Sequence, residues 1–367
     1  MRILQVSSAR AFGGGERHVA DLARGLAARG HEIFAAVAPG SPLRDALDAV
    51  APENVLELRM RNALDAPSAV RLARFARERG VEVVHAHVAR DYTLAAYAAR
   101  RAGARLVVTR HVLFPLSRAH RFALAGVAGV IAVSGSVARA LAAQKIFPAE
   151  KLRVVPNAVD LERFEAARHA HERARDPRAG GRPLRVGLVG ELSEVKGQDV
   201  FLRAAALVVP RFEGAVEFVL VGADTSRDGR RRARLEALVD ELKLAPFVGL
   251  SGRWEDTADV LPALDLFVSA SRSEAFGIAM VEAMACGLPV VATETEGARE
   301  IVGHEADGLL VPVGDHRPLA AAILTLLSDG DARARLGRHA RETARARFGL
   351  DGMVEATERV YAEAREI

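Results

Sequence analysis

Two glutamates eight residues apart, Glu274 and Glu282, flank a phenylalanine–glycine pair in the most informative stretch of the chain. The pattern predicts a helix beginning near Gly277, whose first amides, from Phe276 to Ile278, lack intrahelical acceptors and suit a phosphate. A carboxylate beside a phosphate is costly unless it binds neutral hydroxyls, so the two glutamates indicate a sugar or a ribose. For an isolated pair, a helix cap and a solvated side chain would be the simpler explanation. The glycine and the Cys-Gly-Leu-Pro ending favour a binding site.

A second loop of the same half of the chain presents a cation. The strand Val186–Val189 leads into Gly190, and Lys196 and Gly197 follow before the next helix. A strand, a glycine turn, a lysine and a helix form a common arrangement for binding phosphates. The chain contains 47 arginines and only four lysines, so a lysine at position 196 is mild evidence for a specific role. For the loop taken alone, an exposed surface lysine explains the sequence equally well.

The first half of the chain opens with a glycine-rich turn. The predicted strand Ile3–Ser7 runs into three glycines, among them Gly14 and Gly15, and then into a helix. Glycines at such a turn let the backbone approach a ligand closely. A dinucleotide site would also need an acidic residue at the end of the second strand, where the chain has Val37-Ala38-Pro39-Gly40. NAD binding is therefore disfavoured.

Histidines end two predicted strands of the same half. His85 and His87 end one strand, and His111 ends another. A strand-end histidine can act as a base or form hydrogen bonds, and His111 is the stronger candidate because the other two could be packing residues. The His-x-His pair is expected to lack a third nearby ligand, which disfavours zinc. The Asp329–Asp331 segment resembles a D-x-D metal motif but is interpreted as a turn, so no metal site is predicted.

Short β-branched runs alternate with amphipathic Ala/Leu/Arg stretches along the chain, which predicts parallel sheets covered by helices. The pattern lapses at 166–183 and then starts again. We therefore expect two doubly wound domains, over 1–165 and 184–349, joined by a linker, and a C-terminal helix over about 350–367 that can pack back on the first domain. The first series of predicted strands is Ile3–Val6, Ile33–Val37, Val81–Val84, Leu106–Val108, Val130–Val133 and Arg153–Val155. The second is Leu184–Val189, Val216–Val221, Leu266–Ser269, Pro289–Ala292 and Gly308–Val311.

Composition agrees with two domains in a reducing compartment. A chain of 367 residues exceeds the size of a single hydrophobic core, and its one cysteine, Cys286, excludes a disulfide framework. The longest uncharged run, 122–138, is interpreted as a helix end, a strand and a turn rather than a membrane span. The net charge is +12 over residues 1–182 and −8 over 183–367. This asymmetry predicts an anionic partner for the first half.

Seven segments, in order along the chain, strongly resemble the retaining nucleotide-sugar glycosyltransferases of family 4. They are FGGGERHVADLARGLAARGHE, VVHAH, VIAVS, VVPNAVDLERF, VGELSEVKGQD, SRSEAFGIAMVEAMACGLPVVAT and DGLLVPVGD. The resemblance implies the GT-B fold, in which two Rossmann-like domains face a central cleft. It also implies transfer of a sugar with retention from a UDP-, GDP- or ADP-sugar to an acceptor hydroxyl, without cofactor or metal.

The resemblance assigns roles to the same residues. The C-terminal domain would bind the nucleotide, with Lys196 on the diphosphate, Glu282 on the ribose, and Glu274 and the following amides on the transferred sugar. The acceptor would lie mainly on the N-terminal domain, where Gly14 and Gly15 line the donor pocket and His111 lies near the anomeric centre. Gly190 belongs to the donor-binding residues. The catalytic candidates are thus His111, Lys196 and Glu274.

Two departures from the family pattern are visible. Glu191 stands where members often have arginine, which leaves Lys196 as the clearer phosphate cation, with Arg110 or Arg272 as substitutes. Asn157-Ala158-Val159-Asp160 replaces the usual Asn-Gly-Val-Asp. A sugar-nucleotide epimerase or hydrolase, or a non-catalytic sugar-nucleotide-binding subunit, are the alternatives that the fold leaves open. Nucleic-acid binding would explain the basic half but not the paired glutamates.

A basic and apolar segment suggests where such an enzyme would act. Arginines alternate with apolar residues over 100–124: Arg100, Arg101, Arg105, Arg110, Arg118 and Arg121 with Leu113, Phe114, Leu116, Phe122 and Leu124. Such a segment, with its apolar residues at near-helical spacing, can lie on an anionic bilayer. We expect a cytoplasmic enzyme in peripheral contact with the inner face of the cell membrane, acting on a lipid-linked or anionic acceptor in cell-envelope glycan, glycolipid or lipopolysaccharide synthesis. An ordinary arginine-rich solvated surface is the alternative.

Overall fold

The structure is a computed structural model that describes residues 1–174, 182–226, 228–252 and 256–366. The chain forms two compact units, one of Met1–Ala158 with Leu350–Ile367 and the other of Val159–Gly349. Each unit is built on one parallel β-sheet whose strands are joined through helices. This α/β architecture confirms the predicted fold class.

The sheet of the first unit has seven strands in the order β3-β2-β1-β4-β5-β6-β7. They are β1 (Arg2–Ser7), β2 (Glu32–Val37), β3 (Val55–Glu57), β4 (Val83–Ala86), β5 (Arg105–Arg110), β6 (Gly129–Ala132) and β7 (Leu152–Val154). The helices between them are α1 (Gly14–Ala28), α2 (Leu43–Ala46), α3 (Ala66–Glu78), α4 (Tyr92–Ala102), α5 (His120–Ala123) and α6 (Gly135–Gln144). The strand order reverses between β1 and β4, and ligands of such sheets bind at the carboxyl ends of the strands at this point.

The second unit has a six-stranded sheet in the order β10-β9-β8-β11-β12-β13. Its strands are β8 (Leu184–Val189), β9 (Val216–Val221), β10 (Val248–Ser251), β11 (Leu266–Ser269), β12 (Val290–Thr293) and β13 (Gly308–Val311). Its helices are α7 (Leu161–Ala174), α8 (Gln198–Val208), α9 (Arg230–Glu241), α10 (Ile278–Ala285), α11 (Glu296–Ile301), α12 (His316–Ser328) and α13 (Gly330–Arg347). Here the order reverses between β8 and β11, so the lysine loop and the paired-glutamate loop both start at that point.

Some elements differ from the sequence prediction. Strands β3 and β10 were not predicted; both are short, lie at the edge of their sheet and lack a fully buried residue. The predicted linker 166–183 overlaps α7, which continues to Ala174, and residues 175–181 lie outside the described residues. The uncharged run 122–138 comprises the end of α5 and then β6, as predicted, but α6 begins at Gly135, where a turn was expected. Across the described residues, no helix combines the length and the apolar character of a membrane span.

The last helix, α14 (Leu350–Glu366), belongs to the first unit. It packs on α1, β5 and β6, and its buried face includes Val354, Val360 and Tyr361. Gly25 of α1 leaves the space that Val354 fills, and Gly129 of β6 does the same for Val360. The helix therefore completes the hydrophobic core formed by the first 158 residues.

Candidate functional site

A cavity in the second unit lies at the carboxyl ends of β8 and β11 and is bounded by the start of α10. Within it, the Lys196 Nζ lies 2.7 Å from Oε2 of Glu274, and the two side chains are 28% and 14% exposed. The Ser271 hydroxyl donates a second hydrogen bond to the same carboxylate oxygen, at 3.3 Å. Gly277 also lines this cavity. The structure thus brings together a partly buried cation and a partly buried carboxylate that the sequence separates by 78 residues.

Close backbone packing fixes the position of Lys196. Gly197 has φ +67°, and a Cβ atom there would collide with the carbonyl oxygen of Ala270 at the end of β11. The Gly190 backbone lies against the aliphatic part of Lys196, because a Cβ on Gly190 would be 3.7 Å from the lysine Cδ. The amide of Arg272 donates to the carbonyl of Val195 at 2.7 Å, which joins the two loops. The lysine stem is therefore held between the two loops by backbone contacts.

The two arginines proposed as substitute phosphate cations have other partners. The Arg272 guanidinium donates two hydrogen bonds to the carboxylate of Asp199, at 2.9 and 2.7 Å, and one to the Glu194 carbonyl. Arg110 ends β5 in the first unit, where it is buried and donates to the carbonyl of Phe114. Of the three cations that the sequence analysis named for the phosphates, Lys196 lines the cavity at the ends of β8 and β11, whereas Arg110 and Arg272 do not.

The loop that carries Glu274 is held by its main chain. The Gly297 amide, at the start of α11, donates to the Glu274 carbonyl at 3.1 Å, and a Cβ on Gly297 would lie 2.6 Å from that oxygen. Gly277 follows with φ +113°, a conformation that favours glycine, and α10 begins at Ile278, which confirms the predicted helix start. The amides of Phe276, Gly277 and Ile278 therefore lie at the beginning of a helix, where they lack intrahelical acceptors.

Glu282 lies apart from the cavity. It is buried on the second turn of α10 and is absent from the cavity lining. Burial, with the added effect of the Glu282 carboxylate, raises the pKa of the neighbouring Cys286 thiol to about 12. Asp329 accepts a hydrogen bond from the amide of Ala332 and so caps α13, whose first residues are Gly330 and Asp331. The interpretation of Asp329–Asp331 as a turn is therefore wrong, because the segment is the start of a helix.

In the first unit, the glycine turn and a histidine lie side by side. Gly14 and Gly15 form the first residues of α1, and a Cβ on Gly15 would be 3.9 Å from Cγ of His111. His18, one turn further along α1, places its ring 4.9 Å from that of His111, measured between centroids. Burial lowers the pKa of His18 to about 4 and that of His111 well below its ordinary value. These imidazoles are therefore neutral hydrogen-bonding groups at pH 7.

The expectation that no third imidazole lies near the His-x-His pair is wrong. One nitrogen each of His18, His87 and His111 lies within 4.8 Å of the others. Both nitrogens of His87 have hydrogen-bond partners in the protein, Gln5 and His111. His85 lies deeper, bonded to Thr109 and to Tyr361. The sequence analysis missed His18, Gln5 and Tyr361. The spacing of Gly15 and His18 is the signal that could have found His18, since residues three apart share a helix face.

The basic and apolar segment of the first unit is only partly exposed. Phe114 and Phe122 are 72% and 82% exposed, with Arg118 and Arg121 exposed near them in the sequence. Leu116 is buried, as are Leu124 and Arg110, and the only helix over 112–126 is the four-residue α5. The expected near-helical spacing is therefore wrong, and the exposed surface is a loop that contains the short α5 and carries two aromatic side chains.

Two family models match the chain: Glycosyltransferase Family 4 over residues 12–163 and Glycosyl transferases group 1 over residues 172–343. D-inositol 3-phosphate glycosyltransferase of Corynebacterium jeikeium is 36% identical over 219 residues, 58% of this chain and 52% of that protein. The chain thus spans about half the length of this relative. N-acetyl-alpha-D-glucosaminyl L-malate synthase of Bacillus anthracis is 27% identical over 93% of this chain and 91% of that protein.

Solved structures with the same fold include HepE from Anabaena, crystallised with UDP. It is 24% identical, has a TM-score of 0.84, and the match covers 99% of this chain and 100% of that one. HepE was also crystallised with UDP-glucose, with a TM-score of 0.83 at the same identity and coverage.

The Gly197 contact can be tested with two glycine-to-alanine substitutions. Gly314 also has a positive φ, +79°, but a Cβ there would meet nothing within 4 Å. Gly314→Ala should lower the free energy of unfolding of the second unit by about 1–2 kcal/mol, the cost of the left-handed conformation. Gly197→Ala should cost roughly 1–3 kcal/mol more, because the Ala270 carbonyl must also move. Urea unfolding measures both, and equal losses would show that the close approach does not constrain the lysine loop.

Proposed function

The chain belongs to the group 1 and family 4 glycosyltransferases and has the GT-B fold, and from this we propose that it transfers a sugar, with retention, from a nucleoside-diphosphate sugar to an acceptor hydroxyl. The proposal places the reaction in cell-envelope glycan, glycolipid or lipopolysaccharide synthesis. It needs no resident metal or cofactor, because the protein itself supplies positive charge for the leaving group.

The ion pair between Lys196 and Glu274 is the observation that carries this proposal. A nucleoside-diphosphate sugar offers a partner to each member of the pair: phosphate oxygens for the ammonium group and sugar hydroxyls for the carboxylate. The phosphates lie on one side of the bond that transfer must break, and the sugar hydroxyls lie on the other. Arrival of the donor would therefore replace one internal ion pair with two charge-assisted sets of hydrogen bonds.

The remaining donor contacts follow from the start of α10. We assign the amides of Phe276, Gly277 and Ile278 to the diphosphate or the sugar, and the Gly190 turn to the same pocket. Glu282 is assigned to the ribose hydroxyls. The UDP and UDP-glucose bound to HepE support a uridine donor, with GDP- and ADP-sugars as the other candidates.

Retention is explained by attack on the same face from which the diphosphate leaves. The acceptor oxygen forms a bond to the anomeric carbon as the bond from that carbon to the phosphate oxygen breaks, and the acceptor proton passes to the departing phosphate. Lys196 and the helix amides stabilise the negative charge that develops on the leaving group. Gly14, Gly15 and His111 are assigned to the transferred sugar and the acceptor, on the first unit.

The exposed aromatic loop supports an acceptor at a membrane surface. Phe114 and Phe122 can enter the interfacial region of a bilayer, while Arg118 and Arg121 attract anionic head groups. We therefore propose a cytoplasmic enzyme that binds the inner face of the cell membrane reversibly and acts on a lipid-linked or anionic acceptor.

Lys196→Ala should lower the transfer rate by about 10²–10³, because one preorganised contact to the leaving group is lost. Arg203→Ala, an exposed cation on α8, is the matched control and should retain the wild-type rate. The measurement is product formation with a panel of UDP-, GDP- and ADP-sugars, with free sugar scored beside transferred sugar. A Lys196→Ala rate within twofold of wild type would mean that the phosphates are bound elsewhere, and free sugar alone would indicate a hydrolase.

Glu282→Gln should weaken binding of the free nucleoside diphosphate about tenfold or more, the effect of one charged hydrogen bond. Turnover should change less, since ribose hydroxyls are bound equally in the ground state and the transition state. Calorimetric titration against Glu241→Gln, an exposed carboxylate at the end of α9, gives the comparison. An unchanged affinity would show that Glu282 is a buried structural residue that does not bind the ribose.

Wild-type protein should cosediment with vesicles that contain anionic lipid at low salt and be released at high salt. Arg118→Glu/Arg121→Glu should lose this binding, since each cation near the surface contributes about 1 kcal/mol. Phe114→Ser/Phe122→Ser should weaken binding at low salt without changing the steepness of its salt dependence, which separates the apolar from the electrostatic contribution. Equal cosedimentation with neutral and with anionic vesicles would contradict attachment through this loop, and so would the absence of cosedimentation at low salt.

A further inference from the structure

A continuous set of buried and partly buried hydrogen bonds connects the C-terminal helix to His111. Tyr361 of α14 accepts a hydrogen bond at its hydroxyl from Nε2 of Gln5 on β1, at 3.4 Å. The Gln5 Oε1 atom lies 2.7 Å from Nε2 of His87, and Nδ1 of His87 lies 3.4 Å from Nε2 of His111. All four residues belong to the first unit.

The direction of these bonds fixes where each proton lies. An amide oxygen only accepts, so Nε2 of His87 carries a hydrogen. Burial lowers the pKa of His87 well below its ordinary value, so the ring is neutral and its Nδ1 is a bare acceptor. His111 must then donate from Nε2, which leaves its own Nδ1 without a hydrogen.

The free nitrogen of His111 lies at the glycine turn. Its Nδ1 is buried and has no hydrogen-bond partner within the described part of the chain. The adjacent Cγ atom lies beside the Gly15 backbone, where a Cβ would be only 3.9 Å away. Buried polar atoms are nearly always paired, so an unpaired acceptor beside a glycine turn indicates a ligand that donates a hydrogen bond.

We propose that Gln5 and His87 are positioning residues that hold His111 in its Nε2–H tautomer, so that Nδ1 accepts a hydrogen bond from a substrate hydroxyl. This inference rests on the proposed function for the identity of that substrate, a sugar or its acceptor. Tyr361 takes part because it fixes the Gln5 amide. Its hydroxyl accepts from Gln5 and shares a second hydrogen bond with Nδ1 of His85, at 2.6 Å.

The opposite direction of these hydrogen bonds predicts the other tautomer of His111. If the Gln5 amide were reversed, its nitrogen would donate to His87, which would then donate to His111. His111 would carry its hydrogen on Nδ1 and could only donate to a substrate. The two arrangements therefore differ in one measurable property, the tautomer of His111.

Nitrogen NMR of the full-length protein labelled with ¹⁵N-histidine tests the inference without any substrate, because bare and protonated imidazole nitrogens have well-separated shifts. His111, assigned with a His111→Asn variant, should show a bare Nδ1 and a protonated Nε2. In Gln5→Met, which keeps the side-chain length but removes both hydrogen bonds, His111 should become a mixture of tautomers. In Thr109→Val, which removes the other partner of His85, His111 should keep its wild-type signature. A wild-type His111 protonated on Nδ1, or a Gln5→Met signature equal to wild type, would overturn the inference.

Kinetics then test whether the tautomer matters for transfer. Gln5→Met should lower kcat roughly tenfold with the KM for the donor nearly unchanged, the effect of one lost hydrogen bond. Should Gln5→Met fail to fold, Tyr361→Phe replaces it: the freed amide can rotate, and a smaller tautomer shift with a smaller loss of kcat is expected. A shifted tautomer with unchanged kcat would overturn the positioning role. A protein that has the expected tautomer but transfers no sugar would instead contradict the proposed function.

Discussion

The Lys196–Glu274 ion pair is the interaction on which the candidate site of the second unit depends. A lone ammonium or carboxylate that is mostly removed from water is costly, and each of these two groups offsets that cost for the other. The pair forms because β8 and β11 are neighbours in the sheet. In the sequence, 76 residues separate the end of β8 from the start of β11. The close contacts of Gly197 and Gly297 hold the two loops near enough for a direct bond. The same contacts keep both charges in place for a ligand.

The two units prepare for a ligand in different ways. The second unit uses opposite charges at the reversal point of its sheet, whereas the first uses neutral imidazoles at the corresponding point of its own. Burial explains the neutral state, since it lowers the pKa of His18, His87 and His111. Neutral rings can form hydrogen bonds to hydroxyls without attracting the phosphates that we propose for the second unit.

The sequence predicted most of the sheets because parallel strands buried on both faces appear as β-branched runs. It missed β3 and β10, whose half-buried edge positions impose no such pattern. Local motifs also identified Lys196, Glu274 and Gly277, because a helix start and a glycine turn are encoded by adjacent residues. Gln5 and Tyr361 could not be found in this way, since their contact joins residues 356 positions apart. The buried state of Arg110 was missed for a related reason: charge alone does not show which arginines of a basic segment face inward.

The return of α14 to the first unit has a consequence for synthesis of the chain. The first 158 residues leave the ribosome without the helix that fills the gaps at Gly25 and Gly129, and the whole second unit must be made before it arrives. At about 5–20 residues per second, that interval lasts on the order of ten to forty seconds. The second unit, continuous in sequence, can complete its core first although it is encoded later. A nascent chain would therefore expose an incomplete amino-terminal core to chaperones and proteases, and a truncation that removes α14 would leave that core permanently open.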